Sequence, residues 1–558
     1  ILDALQDSHF TYEIARYNLE INLDPVELKD KCFTQMEEQL RALLKKAMRT
    51  ADTFDTQVLL TGILPTIGLN ELSLEFMSPS IRYELLNEAI KHIRKKDFEF
   101  HIRGVDELSI NHDSVLFEAC NTSFQLHLQI PPNDFVASYN WAQAISGPIL
   151  GIAANSPLLL GRELWSETRI ALFQQSTDTR SSTYSLRDKQ ARVTFGSAWV
   201  KDAIVNIYKD DISRYEIIMD TAIEKNSLEE LRSGKIPKLK ALNLHNGTIY
   251  RWNRPCYGVA NNKPHIRIEN RYIPSGPTVL DEMANFAFWA GLMMGRPAKF
   301  DDMPNQMTFR DVKDNFIMAA RYGSNSVMHW MDATIPTRDL VTKELLPIAY
   351  RGLEKAGIDR ADIERLLGII EKRANGFNGA EWNIRNYRSL KKKVKQDDAL
   401  VTLTKAIYEN QQTGRPVSDW PMLETKKRFE IEQNAFLVKH LMSSRLFIVN
   451  ENDLADMATS IMRWKNIHHV PVVDDDHELC GLLTWSHMKA HIKEKSDTTN
   501  IKVSDIMVDQ VIKVDPNTKI KKAIQLMQKH KIGCLPVVDE YRLAGIITKK
   551  DLAGQWDA

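Results

Sequence analysis

The chain has 558 residues, 43% of them hydrophobic and 26% charged, a globular composition too long for one core, so two to four domains are expected. Lys plus Arg and Asp plus Glu both total 73, and a zero net charge offers no footprint for nucleic acid or an anionic membrane. No run of about 18 apolar residues spans a bilayer. The five cysteines (Cys32, Cys120, Cys256, Cys480, Cys534) form no CxxC pair and read as reduced thiols of a cytoplasmic protein, not as a disulfide frame or a zinc site.

In chain order, the first strong signal is "RYNLEINLDP" (16–25), whose period of two puts Arg16, Asn18, Glu20 and Asn22 on one face and Tyr17, Leu19, Ile21 and Leu23 on the other. "NTSFQLHLQI" (121–130) repeats the pattern, with Ser123, Gln125, His127 and Gln129 opposite Phe124, Leu126, Leu128 and Ile130. "KPHIRIENRY" (263–272) aligns His265, Arg267, Glu269 and Arg271. Three such strands suit a mostly antiparallel sheet with one face on a core. Their polar faces hold groups that coordinate a metal or fork onto phosphate and carboxylate oxygens. Side by side, they would let Glu20, His127 and Glu269 converge on Mg²⁺ or Mn²⁺. The competing reading is three amphipathic surface strands whose charges pair weakly with one another.

Helical spacing follows in "LVTKELLPIAYRGLEKAGI", "ADIERLLGIIEKRANG" and "DDALVTLTKAIYENQQ", and "TGRPVSDWPML" (413–423) reads as a linker. Beyond it lies an internal repeat. "VKHLMSS" (438–444) recurs as "VSDIMVD" (503–509), and "HVPVVDDDHELCGLLTWSHM" (469–488) recurs as "CLPVVDEYRLAGIITKKDL" (534–552). Each copy predicts a short strand, an amphipathic helix, a buried "PVVD" strand, a second strand and a final helix.

The repeat resembles a tandem pair of cystathionine-β-synthase (CBS) domains, expected at 435–497 and 500–558. The resemblance implies an α/β module that binds AMP, ADP or ATP, with Thr and Asp of a Gly-h-h-Thr-x-x-Asp motif on the ribose. The second copy keeps Gly545, Thr548 and Asp551; the first keeps Gly481 and Thr484 but has His487 in place of the Asp. One good ribose site is therefore expected, against the alternative of a dimerisation module without ligand. The resemblance also implies a homodimer through the CBS modules.

Most of residues 10–390, in a domain expected at 1–420, resemble the carboxylate–amine ligases that include plant-type glutamate–cysteine ligases. The motifs are "SFQLHLQ", "AANSPLLLGRELWSETR", "RWNRPCYG" with "HIRIENR", and "DNFIMAARYG". The resemblance implies an α+β, glutamine-synthetase-like domain that uses ATP to activate a carboxylate, commonly the γ-carboxylate of glutamate, as an acyl phosphate. An amine such as that of cysteine then attacks. Its implied partners are amino acids and ATP. It assigns Glu20, His127 and Glu269 to metal and Arg271 to phosphate charge. Arg162, Arg169 and Arg254 are further candidates for substrate carboxylate or ATP phosphates, with Asn155, Arg267 and Arg321 as other ligand contacts. Structural alternatives stand beside these: a helix end at Asn155–Ser156–Pro157, an ion pair of Arg169 with Glu163 or Glu167, and a buried Arg321. The family's opening Glu-x-Glu strand has no counterpart before Arg16, so the domain is expected to lack its first strand. The rival function is an inactive, ligase-like adenine-nucleotide sensor.

Overall fold

The computed structural model describes residues 1–94, 97–112, 114–178, 180, 191–218, 226–423, 437–444, 446–465, 467–475, 478–488, 501–539 and 541–552. The chain forms two compact units, residues 1–426 and 427–558.

The first unit is α+β. After a short helix, Leu2–Leu5, comes a hairpin of β1 (Phe10–Tyr12) and β2 (Leu19–Ile21), in which Thr11 faces Glu20. A strand therefore does precede Arg16, although it carries no Glu-x-Glu. The predicted strand over 16–25 shrinks to three residues because Arg16 and Tyr17 form a turn, closed by the Asn18 amide donating to the Ala15 carbonyl at 3.0 Å.

The central sheet has β3 (Leu126–Ile130), β4 (Asn253–Ala260) and β5 (Lys263–Asn270), all antiparallel in the order β4–β5–β3. The turn between β4 and β5 is Asn261–Asn262, both left-handed at φ 49° and 57°. Two-residue hairpins need that conformation, and Asn tolerates it. Because side chains alternate across a strand, fixing this register decides which residues share a face. Arg254, Glu269 and His127 form one rung; Cys256, Arg267 and Gln129 form the next. The opposite face sends Leu126, Leu128, Ile130 and Ile268 into the main core.

That core is helical. The helix α1 (Phe135–Ala153) is buried at nearly every position. Its polar groups are satisfied, Gln143 donating to the Phe195 carbonyl at 2.6 Å and accepting from Asn253 at 2.7 Å. The Tyr139 hydroxyl donates to the Asn253 carbonyl at 2.9 Å and fastens α1 to β4. Around it pack α2 (Val279–Met294), α3 (Phe309–Tyr322), α4 (Leu346–Lys355) and α5 (Arg360–Asn375). Among the described residues, no helix is long and apolar enough to cross a membrane.

The stretch 413–423, expected as a linker, is instead packed on this unit. Val417 and Trp420 are buried, Trp420 stands edge-on to Trp382 at 5.0 Å, and the Val417 amide donates to Asp281 at 3.0 Å. Its two apolar anchors outweigh the turn-forming Gly and Pro that suggested a free segment.

The second unit repeats one α/β motif. In the first copy Val449–Asn450 runs parallel to His469–Val473, which pairs antiparallel with Leu479–Thr484; helix Ala455–Lys465 lies between them in sequence. In the second, Val514 bridges in parallel to Val537, Cys534–Asp539 pairs with Arg542–Thr548, and the helix is Ile520–His530. The long hairpins share an irregularity at the same place, between Val472 and Val473 and between Val537 and Val538. The leading segments are exchanged: Ser443 bridges to Ile546 of the second copy, and Val508 bridges to Leu482 of the first. Most of the final helix expected in each copy lies outside the described residues.

The tightest helix contact generates a prediction. A methyl added at Gly352 on α4 would run into the Gly291 carbonyl of α2 and crowd Gly295. Gly352→Ala should destabilise the first unit by about 1–3 kcal/mol, the usual range for overpacking, read as a lower midpoint in chemical denaturation.

Candidate active site

The polar face of the central sheet opens into a cleft of about 2090 Å³, larger than the usual 300–1,000 Å³ of a single small-molecule pocket. Glu20, His127, Arg169, Arg254, Arg267 and Arg271 line it. Asn155, Arg162, Arg321 and the fully buried Glu269 are not among its walls.

Glu269 is the pivot. It is fully buried in the floor of the sheet. Arg254 donates to Oε2 from Nε at 2.9 Å and Nη2 at 2.7 Å, and the Cys256 thiol lies 3.3 Å from the same oxygen. Arg271 Nε stands 3.3 Å from Oε1 as an ion pair, yet Oε1 has no hydrogen-bond partner. Burial alone would push this carboxyl up; Arg271, Arg254 and His127 outweigh it and hold the group at about 2. Arg271 also lies over the Tyr250 ring at 5.5 Å.

His127 opens into the cleft beside Glu269. Desolvation lowers its pKa against the pull of that carboxylate, which favours the neutral imidazole. The ligand atoms of His127, Cys256 and Glu269 all lie within 4.8 Å of one another. Glu20 is not in this group. It sits on the β1–β2 hairpin, where Thr11 donates to its Oε2 at 2.8 Å, because β2 pairs with β1 and not with β3.

One rung further, Arg267 Nη1 is 2.5 Å from His265 Nε2. Gly258 makes room for both: a Cβ there would stand 2.7 Å from His265 Nε2 and 3.1 Å from Arg267 Nη1.

Sequence reasoning missed two cleft residues, Glu13 and Glu118, and the buried Cys256 beside Glu269. Glu13, between β1 and the turn, has its carboxyl pushed up by burial and by Glu20. Glu118 lies on the single-turn helix Val115–Cys120; burial and Glu13 raise it to about 8, against Arg271 and Arg169. A lone Glu inside the apolar run "VLFEAC" was a readable sign; Glu13, in a loop, had no periodicity to betray it. Cys256 follows Arg254 at strand spacing and was reachable once β4 was laid beside β5.

The remaining predicted residues are structural in their contacts. Arg169 is buried, with Nε 2.7 Å from Glu167 and donations to Ser123 at 2.8 Å and the Tyr272 carbonyl at 2.7 Å. Of the two ion-pair partners expected for it, the structure has Glu167. Asn155 follows the end of α1, accepts no role in the cleft, and donates to the Ser275 carbonyl at 2.9 Å. Arg162 donates to the Glu107 carbonyl. Arg321, expected as a buried alternative, is exposed and lies 4.8 Å over Trp165, because its position on α3 faces outward.

In the second unit, the Asp551 carboxylate accepts from the Thr548 amide at 2.8 Å and hydroxyl at 2.6 Å. The first copy substitutes an imidazole: Thr484 Oγ1 is 2.9 Å from His487 Nδ1.

Glu118 gives a test of this electrostatic layout. Its folded pKa of about 8 lies above the reference 4.5, so folding favours the protonated form. That contribution is complete below 4.5 and is lost as pH rises through about 8. Glu118→Gln should match the wild type near pH 5 and melt about 1–3 °C higher at pH 8, as followed by thermal unfolding across pH.

Comparison with known proteins agrees with the geometry. Residues 1–387 match the model of glutamate-cysteine ligase family 2, and residues 438–494 and 503–555 each match the CBS domain. Homoserine O-acetyltransferase of Methanococcus vannielii is 35% identical over 117 residues, 21% of this chain and 24% of that protein. CBS domain-containing protein YhcV of Bacillus subtilis is 32% identical over 116 residues, 21% of this chain and 82% of its own length. Among solved structures, CBSX2 in complex with AMP is similar at 28% identity and a TM-score of 0.20, over 21% of this chain and 94% of that one. The ligase match alone extends over more than half of the sequence, and the chain belongs to glutamate-cysteine ligase family 2, with a tandem pair of CBS domains at its C-terminal end.

Proposed function

We propose that the first unit is an ATP-dependent ligase that joins a carboxylate, the γ-carboxylate of glutamate, to an amine such as that of cysteine. ATP gives its γ-phosphoryl group to the carboxylate, forming an acyl phosphate and ADP. The amine then attacks the acyl carbon, phosphate leaves with the C–O bond, and one proton is released. The observation that carries the reading is Glu269: a fully buried, ionised carboxylate held between Arg254 and Arg271, which line a large cleft, with one oxygen lacking a hydrogen bond.

The chemistry needs positive charge fixed where phosphoryl charge spreads. Arg254, Arg267 and Arg271 provide it from one rigid sheet face. A divalent cation fits the residues present: Glu269 Oε1 is buried without a hydrogen-bond partner beside the neutral His127, and the cleft adds the carboxylates of Glu13, Glu20 and Glu118. Mg²⁺ or Mn²⁺ held by Glu269 and His127, with Glu20 from the facing hairpin, would supply Lewis-acid neutralisation of phosphate charge. Arg169 positions the wall, tying Tyr272 beyond the end of β5 to Glu167.

The second unit, in this reading, binds AMP, ADP or ATP at Thr548 and Asp551 and biases the ligase by linkage: a nucleotide that prefers one state shifts the population by its differential affinity. It also supplies the homodimer contact; Met457 and Trp464 on helix Ala455–Lys465 are exposed apolar side chains at matching helical positions. The five free thiols suit a reducing, cytoplasmic setting.

Phosphate release from Mg-ATP with glutamate and a panel of amines tests the ligase reading. Amine-dependent release that falls about 100-fold or more in Glu269→Gln is expected. Release equal in wild type and variant for every acid and amine would leave the nucleotide-sensor reading in its place.

The regulatory site has a separate readout. AMP at about 100 times its dissociation constant should add about 2.7 kcal/mol of stability to the second unit. Asp551→Ala should abolish that shift, while Thr484→Ala should retain most of it; equal losses in both variants would contradict a single dominant ribose site.

A further inference from the structure

Cys256 is a member of the polar face that neither phosphate binding nor hard-cation chemistry explains. The ligase reading uses Glu269, His127 and three guanidinium groups, and a neutral thiol serves none of them. Yet the thiol points at Glu269, not into the core, with Sγ 3.3 Å from Oε2. Among the described residues, no other cysteine belongs to a three-membered group with metal-ligand spacing.

We propose that His127, Cys256 and Glu269 form a binding site for a thiophilic divalent cation of the Zn²⁺ class. Three observations carry this. The three ligand atoms lie within 4.8 Å of one another, and the 3.3 Å from Sγ to Oε2 is close to the ~3.5 Å edge of a tetrahedron with metal–ligand bonds of about 2.0–2.3 Å. Each ligand comes from a different strand of one hydrogen-bonded sheet, so the backbone holds them in register and only side chains need turn. Glu269 is fully buried and its Oε1 has no hydrogen bond.

Charge selects the class of cation. Arg254 and Arg271 are paired to a single carboxylate, and Arg267 stands one rung away, so a divalent cation held here without the cleft carboxylates Glu13, Glu20 and Glu118 meets excess positive charge. A hard cation gains nothing from a neutral thiol. A thiophilic one displaces its proton: Cys–SH plus M²⁺ gives a Cys–S⁻–M²⁺ bond and H⁺ to solvent, adding the second negative charge the site needs. Arg254, partly exposed on the cleft side, releases Oε2 as the metal takes it. Three protein ligands leave a fourth position open to the cleft, as in zinc sites that bind an exchangeable group. Bound there, the cation occupies Glu269 and His127 and excludes Mg-ATP from them. That inhibitory consequence rests on the ligase reading; the binding does not.

The test uses the full-length, metal-free protein and Co²⁺ alone as probe. One equivalent is expected to produce a sulfur-to-cobalt charge-transfer band that stoichiometric Zn²⁺ removes and a large excess of Mg²⁺ does not. Cys256→Ser should abolish the band and weaken Zn²⁺ binding more than tenfold; His127→Ala should weaken it while the band persists at higher Co²⁺. No band, a band unchanged in Cys256→Ser, or equal displacement by Mg²⁺ would each overturn the proposal. Should Cys256→Ser fail to fold, X-ray absorption of the Zn²⁺-loaded wild type decides: one sulfur per zinc supports the site, and none or more than one overturns it. A cobalt band without phosphate release would sink the ligase reading and leave this site standing; the reverse result would do the opposite.

Discussion

A buried carboxylate is the constraint on which the first unit depends. Taking Glu269 out of water costs several kcal/mol, and only well-placed partners offset it. Those partners come from separate places: Arg254 from the neighbouring strand, Arg271 from just beyond the end of β5, and His127 from the strand on the other side. A one-residue slip of β4 would turn Arg254 into the core and leave the charge unpaired, an error of about 3–5 kcal/mol. The Asn261–Asn262 turn and the mainly apolar reverse face, with Leu126, Leu128, Ile130 and Ile268 in the core, fix the register from one end and from behind. The rigidity that makes the cleft a preorganised electrostatic site is thus required by the fold before any chemistry is asked of it.

Periodicity made some of this legible and hid the rest. The alternation in 121–130 and 263–272 placed His127, Arg267, Glu269 and Arg271 on one face, because a strand with one side in a core has no other way to write itself. Alternation does not record which strands are neighbours. Residues 16–25 alternate as cleanly, yet a turn at Arg16–Tyr17 leaves only Leu19–Ile21 as strand and pairs it with Phe10–Tyr12. Glu20 therefore approaches the cleft from another hairpin. Glu13 and Glu118 lie in a loop and a single-turn helix, where no period exists, and Cys256 emerges only when the register of β4 on β5 is known.

The second unit shows the same limit in a different form. Repetition exposed both copies, since each strand and helix was written twice. What repetition could not give is the exchange of leading segments. Met442 packs where Gly545 lacks a side chain, and Met507 packs likewise at Gly481, so each short segment completes the other copy's hairpin. Neither copy is whole alone, which couples them energetically. Against that symmetry, Thr548–Asp551 and Thr484–His487 differ in the one group able to accept two ribose hydroxyls. A carboxylate can do so; an imidazole, with one donor and one acceptor when neutral, cannot.

The cleft has two walls of opposite electrostatic demand. On the sheet, Arg254 and Arg271 pair with one carboxylate and Arg267 stands one rung away; elsewhere the lining carries Glu13 and Glu118, whose carboxyls are raised by burial and by neighbouring acids. Kept apart, each wall costs folding free energy, the sheet through desolvated cations and the carboxyls through like charge. The proposed phosphoryl transfer draws on both at once, with anionic oxygens on the guanidinium groups and protons and cations on the carboxyls. A fold selected only for stability would relax this arrangement toward paired or neutral residues.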